Sequence, residues 1–148
     1  NGILFDQPNN RLNGILFDQP NNRLLVLNGE IAGGPIIAVD LTDSSLTTVV
    51  NTNISAIDGL TADQFGNYYF SSWTTDKVYR YDASFTNPPE VISSAHNNPA
   101  DIFSHDNTML IILFISGAAD MQISVGRYSI RCRFNPAAAA LCSRSYGR

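Results

Sequence analysis

Charge is scarce in this sequence. Only 15% of its 148 residues are Asp, Glu, Lys or Arg, against about 25% in an average soluble domain, and only nine are basic. A general nucleic-acid binder neutralises phosphates with a clustered excess of Lys and Arg, so a net charge of −4 argues against that class. Long apolar runs are lacking too. The longest, Met109-Leu110-Ile111-Ile112-Leu113-Phe114-Ile115, has seven residues, where a membrane-spanning helix needs about 20; it reads as a buried strand. The two histidines, His96 and His105, have no ligand-like spacing to either cysteine, which leaves no zinc pattern. Gly33-Gly34-Pro35 lacks the lysine and hydroxyl of a phosphate-binding loop. The sequence opens at Asn1 with neither an initiator Met nor a charged-then-apolar leader, so export cannot be read directly from it.

What is present points to β-structure. Hydrophobic residues make up 44% and aromatics 10%, and fifteen Asn with many Ser and Thr supply solubility without charge. The charge is divided unevenly along the chain. All thirteen acidic residues lie at or before Asp120, opposed there by Arg11, Arg23, Lys77 and Arg80, which makes residues 1–120 −9. The last 28 residues hold five Arg, no acid and both cysteines, Cys132 and Cys142. Residues 126–148 therefore read as a separate basic, Ala- and Arg-rich tail. Asn135-Pro136 before Ala137-Ala138-Ala139-Ala140 is a helix start signal, although a shifted reading frame or vector-derived sequence fits the composition as well. For the cysteines, a disulfide, two free thiols and a chance pair all stay open.

Two kinds of repeat organise the chain. Asn1 to Leu12 recurs letter for letter as residues 13–24. Twelve identical residues are too short for a blade or solenoid unit. They read as a recent tandem duplication or an artefact of cloning or sequencing, with a β-solenoid coil as the alternative. Only the second copy continues into Leu25-Val26-Leu27-Asn28, so it is the expected strand and residues 1–12 an extra segment.

The second repeat is degenerate. Asn13-Gly14-Ile15-Leu16-Phe17-Asp18 matches Asp58-Gly59-Leu60-Thr61-Ala62-Asp63 at an offset of 45, and Pro99-Ala100-Asp101-Ile102-Phe103-Ser104 follows at 41. Each copy leads through a turn, Gln19-Pro20-Asn21-Asn22, Phe65-Gly66-Asn67 or His105-Asp106-Asn107, into a more apolar strand. Gly, Asn and Asp tolerate the positive φ of hairpin turns. A third strand (Pro35–Asp40, Lys77–Asp82, Met121–Val125) follows in each copy, and a fourth (Leu46–Val50, Glu90–Ile92) in the first two. Four short strands per 41 to 45 residues is the period of a β-propeller blade; a β-sandwich or open meander is the plainer alternative. The blades fall at about 13–57, 58–98 and 99–125.

Asp58 to Asp82, with its small-residue start, Asp63, Gly66-Asn67 turn, aromatic Tyr68-Tyr69-Phe70 strand, loop, and strand ending in Asp82, resembles a blade of the NHL and gluconolactonase-regucalcin group of propellers. The resemblance extends over residues 13–50 and fades after about Ile112. It implies an all-β, partial β-propeller of four-stranded antiparallel blades, open or completed by oligomerisation. Gluconolactonase-like enzymes hold a divalent cation, usually calcium, on the channel axis with hard oxygen ligands, and the ion polarises a lactone carbonyl. By that resemblance one ligand, an Asp, falls where this chain has Ser72 and, one blade earlier, Asn28. Another, the Asn of an Asn-Gly pair, is matched by Asn13-Gly14 and only in chemical kind by Asp58-Gly59. The family's N-terminal Glu is not identifiable, since the sequence opens with the duplication. Asn13, Asn28 and Asp58 are thus the metal candidates, calcium the one cofactor the resemblance admits, and no catalytic residue follows.

The remaining chemistry is sparse. Ser104-His105-Asp106 has the letters of a hydrolase triad, but consecutive residues point in alternate directions and do not converge. Asn53-Ile54-Ser55 is a formal glycosylation acceptor. Most aromatics read as core, whereas Trp73 lies in the loop after a blade's second strand, on the rim where propeller ligands sit. Trp73, Ser72 and Asp76 are the expected ligand-binding residues, with a loop Trp covering the blade edge as the plainer reading. Closing a propeller takes at least four blades, more than residues 13–125 supply. The function expected is a non-catalytic binding or scaffold module, a fragment of a larger secreted or cell-surface protein. It would take a protein or a small-molecule or carbohydrate ligand and self-associate through open blade edges, without nucleic acid or a membrane span. A calcium-dependent lactonase or esterase and a self-assembling β-rich subunit are the alternatives.

Overall fold

The computed structural model describes residues 12–29, 33–105, 109–115, 120–125, 128–135 and 138–146, with side chains at 13–29 and 33–104. Among them there is no α-helix. The first sheet has the order β1 (Leu12–Asp18), β2 (Arg23–Asn28), β3 (Pro35–Asp40) and β4 (Leu46–Asn51). The second repeats it with β5 (Ile57–Ala62), β6 (Tyr68–Ser72), β7 (Lys77–Tyr81) and β8 (Glu90–Ser93). The third runs through β9 (Pro99–His105), β10 (Met109–Ile115), β11 (Asp120–Val125), β12 (Tyr128–Asn135) and β13 (Ala138–Tyr146). Every neighbouring pair is antiparallel and consecutive in the chain. The fold is all-β, and its blades form an arc, not a closed ring.

The second copy of the exact repeat forms β1 from Asn13 onward and its turn; of the first copy only Leu12, which opens β1, is described, and residues 1–11 lie outside the described residues. The hairpin turns use the expected chemistry. Asn22 takes a left-handed φ of 48° after a 3-10 turn over Gln19–Asn21, and Gly66 takes a φ of 82°. Asp63 organises the second turn by accepting from the backbone N–H groups of Phe65 and Asn67, each at 2.9 Å.

Beyond Val125 the structure departs from the sequence reading. The segment that reads as a helix after Asn135-Pro136 is a strand, β13, which pairs with β12 and extends the third sheet. Alanine's helix propensity is a fraction of a kcal/mol per residue, and the ladder of cross-strand hydrogen bonds overrides it.

Alternation of side chains gives each sheet two faces. One face of the first sheet, with Leu16, Leu25, Leu27, Ile36 and Ala38, packs on Leu60, Tyr68, Phe70, Tyr79 and Tyr81 of the second. Phe70 stacks on Tyr79 at 5.2 Å between centroids, and Tyr68 on Phe85 at 4.7 Å. The second sheet's other face meets the third through Val78, Tyr69 and Ile102.

The innermost strands β1, β5 and β9 lie side by side, and this explains the small residue that opens each copy. A Cβ on Gly14 would fall on the Asp58 carbonyl and the Leu60 amide; one on Gly59 would fall on the Ala100 carbonyl and the Ile102 amide. These contacts also correct the repeat. Leu60 pairs with Phe70, and Ile102 with Ile112, so the second and third blades are offset by 42, not 41. Asp101, not Ala100, stands where Gly14 and Gly59 do. A one-residue slip exchanges the two faces of a strand, and the true register is the one that turns Ile102 onto Val78.

Candidate functional site

The β6–β7 turn, residues 73–76, is tied to the connections that lead into β5 and β9. The Trp73 amide donates to the Ala56 carbonyl at 3.0 Å, the His96 amide to the Asp76 carbonyl at 3.2 Å, and the Asn98 amide to Asp76 Oδ1 at 3.1 Å. These loops and the starts of the inner strands make one rim. The three expected ligand residues meet there in different roles. Ser72 is fully buried, its hydroxyl donating to the Ser55 carbonyl at 2.8 Å, so it sits beneath the surface and holds the turn. Asp76, exposed, fixes the connection to β9. Trp73 is 39% exposed, and its indole N–H donates to Asp58 Oδ2 at 2.7 Å.

Asp58 is the electrostatic centre of the rim. Burial pushes its pKa above the ordinary carboxylate value and the nearby charge of Asp101 pushes it further, against the lowering effect of the indole hydrogen bond. Asp101 itself is exposed. Next to the turn, Ser55 and Thr74 share a hydroxyl hydrogen bond at 3.0 Å. His96, whose Nε2 is 2.6 Å from Ser93 Oγ, has its pKa lowered by burial, an effect opposed by Asp76. The link between Trp73 and Asp58 had no signal in the sequence, because the two are fifteen residues apart on different elements; Asp101 was masked by the 41-residue offset.

The metal candidates Asn13, Asn28 and Asp58 lie along the same rim, where Asn13 reaches the residues next to the other two. Asn13 Nδ2 donates to the Ile57 carbonyl at 3.0 Å, Asn28 is buried, and Asp58 holds the indole. Among the described residues no group of three or more His, Cys, Asp or Glu is placed to hold a metal ion. Of Ser104-His105-Asp106, only Ser104 has a described side chain; its amide donates to Thr61 Oγ1 at 3.1 Å, and Asp106 lies outside the described residues.

No family model matches the sequence, and no curated protein matches it significantly. Solved structures do. The structure of a nidogen/laminin complex superposes with a TM-score of 0.67 at 11% identity, covering 95% of this chain and 67% of that one. A calcium-binding protein, regucalcin, from Agrobacterium tumefaciens gives 0.61 at 14%, covering 97% and 64%. The fold is that of a β-propeller. The extracellular domain of a one-component system from B. thetaiotaomicron gives 0.55 at 16%, covering 98% of this chain and 25% of that chain. The propeller arc described here thus spans about two thirds of the first two structures and a quarter of the third.

Proposed function

We propose that this propeller arc is a non-catalytic binding module whose rim, built on Trp73, Asp58 and Asp101, receives a basic side chain of a protein partner. The observation that carries this reading is the Trp73–Asp58 hydrogen bond. It fixes an exposed indole beside a half-buried carboxylate, with a second carboxylate on the next inner strand. An arginine or lysine placed there gains a cation–π contact together with charge-assisted hydrogen bonds. The excess of acid in residues 1–120 steers such a partner toward the face. Ser72 and Asp76 act as positioning residues for the Trp73 turn. The likeness to a laminin-complexed protein and to an extracellular domain supports a protein partner and an extracellular setting.

A second observation favours self-association. The face of the first sheet turned away from the second carries Ile15, Val26 and Ile37 in one cross-strand row and Phe17, Leu24, Val39 and Leu46 in the next. Val26 is buried, but none of these residues joins the cluster packed between the first two sheets, and Phe17 is 54% and Leu46 71% exposed. Register makes this face the counterpart of Leu60, Ala62, Tyr68, Phe70, Tyr79 and Tyr81, by which the second blade packs on the first. It is shaped to receive another blade, and a second copy supplies one.

Calorimetric titration with an arginine-containing peptide and its glutamate counterpart tests the binding reading. Saturable heat is expected from the basic peptide alone, diminishing as salt rises. Equal responses from both peptides would overturn it. Turnover of a simple δ-lactone that requires calcium and stops on chelation would replace it with the hydrolase reading.

A further inference from the structure

The two cysteines were left open by the sequence; the strand register brings them together. Cys132 on β12 stands directly opposite Cys142 on β13, between the pairs Arg131↔Ser143 and Arg133↔Leu141. Residues directly opposite in an antiparallel ladder have Cα atoms about 4.5–5.5 Å apart, inside the roughly 4.4–6.8 Å window of disulfides. A slip of one residue would place each cysteine beside a different partner. The chain has no other cysteine, so no competing intramolecular pairing exists. The charge pattern favours the reaction as well. Arg144, two residues beyond Cys142, falls on the cysteines' face of the ladder, and residues 121–148 contain no acid; neighbouring positive charge raises the thiolate fraction, and the thiolate is the attacking species.

We propose that Cys132 and Cys142 form a cross-strand disulfide that locks the β12–β13 hairpin. The bond forms by exchange with a disulfide oxidant such as oxidised glutathione. One cysteine thiolate attacks a glutathione sulfur and expels a glutathione thiolate. The second cysteine, as thiolate, then attacks the mixed disulfide and expels the other glutathione, so that two protein thiols become one disulfide and two reduced glutathiones are released. The juxtaposition is independent of the rim and of any ligand. It closes a ten-residue separation at the outer edge of the third sheet, where an unclosed hairpin exposes strand edge to other chains.

Peptide mapping tests this on the whole chain. The protein is equilibrated in a glutathione redox buffer, its free thiols are alkylated, and monomer is digested with trypsin without reduction. Cleavage after Arg131, Arg133 and Arg144 leaves Cys132-Arg133 joined to Phe134–Arg144 through the disulfide, a species expected in the oxidised sample and lost on reduction. A Cys132→Ser variant should abolish it and leave Cys142 open to alkylation. Recovery of both peptides alkylated from the oxidised monomer, or of the cysteines only in bonds between chains, would overturn the proposal.

Discussion

Tyr68 reaches beyond its own blade: its hydroxyl donates to Asp18 Oδ2 of the preceding one at 3.0 Å. Asp18 is buried, and it also accepts from Arg23 Nε at 2.6 Å and from Asn21 at 2.9 Å. Burial alone would raise its pKa, but the hydrogen bonds from Arg23, Asn21 and Tyr68 outweigh it and hold the carboxyl below its ordinary value of 3.8. The same device, an Asp ending the inner strand and clasped by an Asn of the turn, recurs at Asp63 with Asn67.

Removing the tyrosine hydroxyl should therefore loosen the first blade from the second. Tyr68→Phe is expected to cost about 1.5–3 kcal/mol at pH 7, the range for a hydrogen bond to a charged group, read by urea unfolding. The pH dependence has a definite sign. Asp18's folded pKa is depressed, so its contribution is present above 3.8 and is lost as pH falls through the folded value. The gap between wild type and Tyr68→Phe should narrow in acid; a gap that stays constant would dissociate the hydroxyl from Asp18.

Gly59 has no room for a side chain, because a Cβ there would meet the backbone of β9. Gly59→Ala should destabilise by about 1–3 kcal/mol through overpacking and uncouple the third sheet, broadening the unfolding transition. A stability unchanged from wild type would mean the inner strands lie further apart.

How much of this was legible in the sequence depends on how each residue signals. Gly14 and Gly59 open their copies in a recognisable pattern, and the aromatic strand Tyr68-Tyr69-Phe70 announces itself by composition. The phase of β9 was not legible, since Ala100 and Asp101 are both short and Ile102 and Phe103 are consecutive apolar residues, so alternation cannot choose between them. β13 was hidden because its alanines carry helix propensity and only strand pairing decides, whereas β12 alternates Tyr128, Ile130, Cys132 and Phe134 with polar residues, a strand signal that the basic composition of the tail obscured. Ser72 and Trp73 stand out in the sequence, but which one is buried and which exposed depends on the Ser55 carbonyl and on Asp58, partners that a linear motif does not encode.

The cost of holding Asp58 half-buried predicts a stabilising substitution. Its folded pKa is raised, so the folded state is penalised as pH rises above the unfolded value and the carboxyl ionises. Asp58→Asn should raise the melting temperature at neutral pH and match wild type in acid, where Asp58 is protonated. A lower melting temperature at neutral pH would show that the charge stabilises the rim.

The exposed row on the first sheet is tested by dilution. Leu46→Lys, at a position already 71% exposed, should leave the fold intact and lower the oligomeric state seen by light scattering. A wild-type chain that is monomeric at high concentration, or an unchanged oligomer in the variant, would contradict association through this face.

The most direct test of the rim is the emission of Trp73, the chain's single tryptophan, during titration with the arginine-containing peptide. The account predicts a saturable change that weakens with salt, that is reduced in Asp101→Asn, and that is absent with the glutamate peptide. An emission that does not respond, or that responds equally in Asp101→Asn and to either peptide, would contradict the assignment of the rim as a binding site for a basic side chain.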